Sequence, residues 1–415
     1  MLYWLFLPLA PYFQGFNLFR YISFRAAFAA ILAFFVVVVC GPGITAWLRE
    51  KKLHGCVSHD SQVLKDLRKS KQSTPTMGGL VILLAVSVST LLLGRLDVLY
   101  VVVVLFAFLA FGVLGMLDDW AKLNGRAGGG LSERSKLLGQ LAIAGAALIV
   151  FYVSANGSTG ETFARGPRIE PSPYRNHPSV AVADASPAMH SFADRAEVGP
   201  TDVISPRANH RTDLQFPFFK HFCLDLGILF LFWSALVVVG ASNAVNLTDG
   251  LDGLATGCTA VVAIAFCAIA YIVGRADLSE FLFVFHVPGA GELVVFCAAM
   301  AGASLGFLWF NSFPATVFMG DTGSLALGGG IGLTAVATRS EFALLVAGGV
   351  FVTEAASVIL QRRFFKMTGG RRLFRCAPLH HHFQFGEMHE AKVTVRFWIV
   401  TVLLALFSLA LFKLR

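Results

Sequence analysis

Apolar windows of roughly 17 to 25 residues, enough to cross a hydrocarbon core of about 30 Å, recur ten times along this chain. They lie near residues 22 to 47, 77 to 94, 98 to 117, 136 to 153, 222 to 242, 254 to 274, 293 to 311, 323 to 338, 342 to 361 and 393 to 413. None has the period-two alternation of a barrel strand. Backbone amides in lipid must be satisfied within their own segment, so each window predicts a helix. The expected fold is an all-α polytopic membrane protein with about ten transmembrane helices, forming one domain over residues 1 to 415.

Polar residues concentrate in five loops, one after every second span, and this alternation puts one reactive surface on one membrane face. The loops carry Lys71 to Thr76, Asp118-Asp119-Trp120-Ala121-Lys122, Asn243 to Gly253, Phe318-Met319-Gly320-Asp321 and His380-His381-His382. Lysine and arginine agree with that assignment. Residues 48 to 76, 118 to 136 and 362 to 396 hold 19 of the 33, which puts these loops in the cytoplasm and both termini outside.

Composition sharpens the class. With 56% hydrophobic and 14% charged residues the chain is too apolar for a soluble globular protein. The net charge of +8 reads as topology and as attraction to anionic lipid or nucleotide, and no nucleic-acid partner is expected. The seven cysteines have no metal or redox spacing. Residues 1 to 21 are apolar but interrupted by Pro8 and Pro11, which suits an interfacial segment rather than a signal peptide.

One stretch breaks the rhythm. Residues 155 to 220 hold eight of the fifteen prolines and equal numbers of basic and acidic residues, seven each, so they predict a long Pro-rich outward loop insertion. Its histidines, His177, His190 and His210, are expected to be solvated. No inverted repeat of the kind transporters show is visible.

The chemistry-bearing residues fall into four groups. Asp118, Asp119 and Lys122 would share a helix end, with Asp118 and Lys122 at i, i+4; carboxylates beside an ammonium suit Mg²⁺ and phosphate, although a solvated salt bridge would explain them equally well. Asn243, Asn246 and Asp249, extended by Asp252, recur at spacings of three at the end of an apolar helix, where polar groups are costly unless they line a cavity or meet a ligand. Capping plus a glycine turn accounts for Asp249-Gly250 but not for the whole series. Asp321 stands between glycines, where a carboxylate could reach a metal or simply cap the next helix. His380, His381 and His382 follow Pro378 in an arginine-rich loop; zinc finds no supporting cysteine or Glu-x-x-His there, and contact with a diphosphate is the better use. Lys71, Thr76, Arg134 and Lys136 could add donors. Together these groups fit metal-assisted phosphoryl transfer between a soluble diphosphate and a lipid phosphate.

Four segments carry a family resemblance: Thr74-Pro75-Thr76-Met77-Gly78-Gly79, Asn243 through Gly253, Phe318-Met319-Gly320-Asp321 and Pro378-Leu379-His380-His381-His382-Phe383. On these the chain resembles the polyprenyl-phosphate N-acetylhexosamine-1-phosphate transferases of the bacterial inner (plasma) membrane, over all ten spans and five loops. The resemblance implies transfer of phospho-N-acetylmuramoyl-pentapeptide from UDP-N-acetylmuramoyl-pentapeptide to undecaprenyl phosphate, giving lipid I and UMP with Mg²⁺, the first membrane step of peptidoglycan synthesis. It implies catalytic roles for Asp118, Asp119 and Asp321, with Asp321 and Asp249 at the metal. It further implies substrate contacts by Lys71, Thr76, Lys122, Lys136, Asn243, Asn246, Asp249, Asp252, His380, His381 and His382, with Phe318 stacking on uracil. A homodimer is compatible with it. The chain departs from the pattern in its long outward loop and in Gln384, where an acidic residue often follows the histidines.

Two other functions remain open on sequence. A sister enzyme would transfer N-acetylglucosamine-1-phosphate from UDP to the same lipid. A transporter of anionic solutes would also use intramembrane carboxylates, but nearer the bilayer midplane.

Overall fold

The computed structural model describes residues 1–51, 74–124, 130–157, 212–215, 223–386 and 388–412. Lys71 therefore lies outside the described residues, as does nearly all of the predicted outward loop.

Every predicted span is helical. In chain order the elements are α1 (Leu2–Phe6), α2 (Ile22–Glu50), α3 (Gly79–Leu93), α4 (Leu99–Asn124), α5 (Glu133–Gly157), α6 (Leu229–Thr248), α7 (Leu254–Val273), α8 (Ala276–Phe281), α9 (Leu293–Asn311), α10 (Gly320–Ala337), α11 (Glu341–Ala347), α12 (Gly349–Met367), α13 (Leu379–Gln384) and α14 (Glu390–Leu411). Among the described residues, seven helices are long and apolar enough to cross a membrane alone. The ninth predicted span is two helices, α11 and α12, bent by 81° at Gly348, and counting it as one crossing makes eight. Of the remaining two, α3 has only 15 residues, and α10 is diluted by glycine.

One detail differs from expectation. The fifth span starts later, at Leu229, because Cys223–Asp225 (β2) pairs antiparallel with Asp213–Gln215 (β1) at the foot of the long loop. Helix α4 runs on through Asp118, Asp119 and Lys122, so these three share a helix end as expected.

Helix α10 is the axis of the bundle. From Thr322 to Ala337 every residue is buried, which its glycines permit. A Cβ at Gly328 would lie 2.6 Å from the Ala241 carbonyl of α6, and one at Gly329 would strike the Phe111 ring of α4 at 2.5 Å. Small residues let helix backbones approach where lipid supplies no hydrophobic drive between them. The N-terminal end of α10 is seated the same way: a Cβ at Gly79 would meet Gly323 nitrogen at 2.2 Å, and one at Gly115 would meet the Asp321 carbonyl oxygen at 2.1 Å.

Met1 and Phe412 sit at the pole of the bundle opposite Asp321. The Met1 ammonium donates to the Leu91 and Leu92 carbonyls at the end of α3. Leu411 and Phe412 close around Val273, Thr338 and Arg339 at the far ends of α7 and α10. At the N-terminal pole Arg25 forms a buried two-point ion pair with Glu292, at 2.7 and 2.8 Å, and its guanidinium lies over the Tyr3 ring.

Candidate active site

Gly115 sets the geometry of the site. Its missing side chain brings α4 against the start of α10, and one turn later Asp118 and Asp119 arrive beside Asp321. The two neighbours then do different things. Asp119 accepts from the backbone N–H of Asp321 (3.1 Å) and of Thr322 (3.0 Å) and from the Thr322 hydroxyl (2.7 Å). It caps α10 from another helix, satisfying donors that a helix start leaves orphaned. That relieves Asp321 of capping: no side-chain cap bond is made within the α10 segment, and the Asp321 carboxylate turns toward other partners.

Those partners are cations and an amide. Lys122 Nζ lies 2.9 Å from Asp118 Oδ2 and 3.0 Å from Asp321 Oδ2. Lys136, at the start of α5, reaches the same two oxygens, lying 3.2 Å from Asp118 Oδ2 and forming a close ion pair with Asp321 Oδ2. The Asn246 amide donates to Asp321 Oδ1 (2.9 Å) and to the Ser324 hydroxyl (2.8 Å). Asp118 Oδ1 accepts from the Leu131 N–H at 2.7 Å, tying it to the loop before α5. Asp118 and Asp119 are 2% and 4% exposed, so these charges are held in place rather than solvated.

The polar ladder on α6 divides. Asn243 pairs with Gln140 of α5, donating to its Oε1 at 2.7 Å and accepting from its Nε2 at 3.2 Å, whereas Asn246 faces Asp321 on α10. A three-residue step on a helix of 3.6 residues per turn falls about 60° short of a full turn, so successive rungs drift onto different neighbours. Asp249 is the C-cap of α6, half-buried. Asp252 is turned to the next loop, where its carboxylate accepts from the Ala315 N–H at 3.0 Å, and its own N–H donates to Glu390.

Thr76 and Phe318 come together through the backbone. Phe318 N–H donates to the Pro75 carbonyl, and Gly78 N–H donates back to Phe318, so the motif after residue 74 lies along the entry to α10. Gly320, at φ +72°, sits 3.0 Å by its would-be Cβ from the Thr76 hydroxyl, which leaves space there only for glycine.

The three histidines separate as well. His380 is fully buried: Glu354 of α12 accepts from its backbone N–H at 3.1 Å and faces its Nδ1 at 3.2 Å. Nε2 of His380 abuts Gly250, one residue after Asp249. His381 meets Gln384 at 2.8 Å, and His382 accepts from the Arg375 N–H, bracing its own loop.

Gln140, Ser324, Thr322 and Glu354 were not among the sequence candidates. A carboxylate inside a predicted span and an amide inside another are themselves signals, and Glu354 and Gln140 could have been found that way.

Among the described residues no three His, Cys, Asp or Glu side chains converge as a ready-made metal cage. Asp118 and Asp321 instead offer hard carboxylate oxygens, now balanced by two ammonium groups. That donor set fits Mg²⁺, which takes one or two carboxylates and completes its shell with water and substrate phosphate.

A helical bundle with an acid, amide and lysine cluster at one pole has the design of a membrane transferase, and residues 203–339 match the family described as Glycosyl transferase family 4. Curated relatives are more specific. The chain is 42% identical to the phospho-N-acetylmuramoyl-pentapeptide-transferase of Solidesulfovibrio magneticus over 415 residues, covering all of both chains. It is 42% identical to that of Aquifex aeolicus over 416 residues and 40% identical to that of Thermodesulfovibrio yellowstonii over 415, again with full coverage of both. The chain belongs to the phospho-N-acetylmuramoyl-pentapeptide transferase family.

Proposed function

We propose that this protein transfers phospho-N-acetylmuramoyl-pentapeptide from UDP-N-acetylmuramoyl-pentapeptide to undecaprenyl phosphate, producing lipid I and UMP. A lipid-phosphate oxygen attacks the phosphorus that carries the sugar, and the bond from that phosphorus to the bridging oxygen breaks, leaving with UMP. The observation that carries the reading is the convergence of Asp118, Lys122, Lys136 and Asp321 in a chain alike over its full length to enzymes of that name.

Lys122 and Lys136 are free in charge type to move from carboxylate to phosphate, meeting the diphosphate as point charges. Asp118, fixed by the Leu131 N–H, orients the lipid phosphate. Asp119 holds the start of α10 and so the position of Asp321. Asn246 orients the Asp321 carboxylate through Oδ1. Mg²⁺, held by Asp321 with Asp118 or Asp249, would neutralise charge on the diphosphate as it departs. Direct attack asks least of the protein, because a phosphate monoester is already a nucleophile. The site faces the cytoplasm, where the nucleotide donor is made and where the basic loops belong.

The test is UMP release by the purified protein with undecaprenyl phosphate, Mg²⁺ and either UDP-N-acetylmuramoyl-pentapeptide or UDP-N-acetylglucosamine, with a chelator control. Chelator-sensitive release with the pentapeptide donor alone is expected. Release with the smaller donor alone would move the protein to the sister activity, and no release with either would return the transporter reading.

A further inference from the structure

The Glu354–His380 pair stands apart from the acid–lysine cluster and has a different chemistry. Glu354 is 0% exposed and sits within an apolar helix, where a carboxylate is costly unless it is paired and hydrogen-bonded. Both of its oxygens address one residue: Oε1 accepts from the His380 backbone N–H and Oε2 faces the ring at Nδ1. An ionised carboxylate only accepts, so this contact keeps the hydrogen on Nδ1. The other ring nitrogen then carries a lone pair and can accept. Nε2 is buried, has no hydrogen-bond partner among the described residues, and points at Gly250 in the turn that follows α6. A glycine is needed at that point, since a Cβ would lie 2.2 Å from Nε2. A buried polar atom left unsatisfied is costly, and a native fold rarely keeps one without a use.

We infer that Glu354 is a positioning residue: it fixes the tautomer of His380 with the hydrogen on Nδ1, so that the Nε2 lone pair is presented at the Asp249–Gly250 turn as an acceptor for an N–H or O–H of the nucleotide donor. The inference rests on the transferase reading for the identity of the ligand, but not for the state of the ring. Glu354 acts entirely through His380.

Glu354→Gln separates this role from simple packing. The amide keeps the size and can still accept from the His380 backbone N–H, but its NH₂ toward Nδ1 moves the hydrogen to Nε2 and removes the acceptor there. Two arms are read on the full-length protein. In the first, ¹⁵N spectra of histidine-labelled protein, with the His380 resonance identified by its loss in His380→Asn, should report a protonated Nδ1 in wild type and a bare Nδ1 in Glu354→Gln. In the second, kcat/KM for UMP release should fall at least about 10-fold in Glu354→Gln at unchanged thermal unfolding, as removing a carboxylate that orients an imidazole does elsewhere, and Glu354→Asp should recover part of it. A bare Nδ1 in wild type, or wild-type kcat and KM in folded Glu354→Gln, would overturn the inference. If wild type itself releases no UMP, the transferase reading fails while the spectra still decide the role of Glu354.

Discussion

Asp118, Asp119 and Asp321 are three carboxylates with three kinds of anchor, and their substitutions should separate accordingly. Asp321 and Asp118 each face two ammonium groups, so Asp321→Asn and Asp118→Asn remove charge where it would be used. Each is expected to lower kcat by about 100-fold or more, the range for a lost electrostatic group, with the protein still folded; UMP release on detergent-purified variants checks this, and retention of a tenth of the wild-type rate would count against the assignment. Asp119 serves the backbone of α10. Asp119→Asn should therefore lower stability as well, by about 1 kcal/mol as for a lost cap, and thermal unfolding distinguishes it from the other two.

Gly115 and Asn243 show what a helix contributes beyond its residues. Gly115→Ala would put a methyl group against the Asp321 carbonyl, so α4 and the start of α10 must separate. A large loss of activity is expected without removing any polar group, and Gly145→Ala, which has open space around it, is the control that should leave the rate unchanged. The Gln140–Asn243 amide pair joins α5 to α6. Replacing both by leucine should cost stability modestly, since interhelical hydrogen bonds in membranes are worth roughly 0.6 kcal/mol on average.

At the scale of the whole molecule the two poles are distinct. The Arg25–Glu292 pair lies at the pole away from Asp321 and is almost fully buried. Arg25→Met strands a buried charge, and a loss of about 3 to 5 kcal/mol in stability is expected, with specific activity per folded molecule near wild type; unfolding and UMP assays on the same sample test both halves. Residues 160 to 210 fall between α5, which starts at the site and runs away from it, and α6, which starts at the far pole with Phe230 under Arg339. Excising them should leave UMP release intact in correctly inserted protein.

Apolar windows of membrane length determined the helices, because lipid leaves the backbone no other way to satisfy its amides. Their polar ends marked Asp118, Lys122, Asn246 and Asp321 as candidates, because such groups are costly at the membrane boundary, and the structure brings these four together. What the letters could not give is direction. The i, i+3 series read as one ladder, yet Asn243 and Asn246 face different helices, and the His380 to His382 run read as one cluster, yet its members bond to Glu354, Gln384 and Arg375. Only tertiary structure could decide that Asp119 caps α10 so that Asp321 need not, and that Glu354 holds His380, because those partners are separated by 202 and 26 positions in the chain and meet only where helices pack.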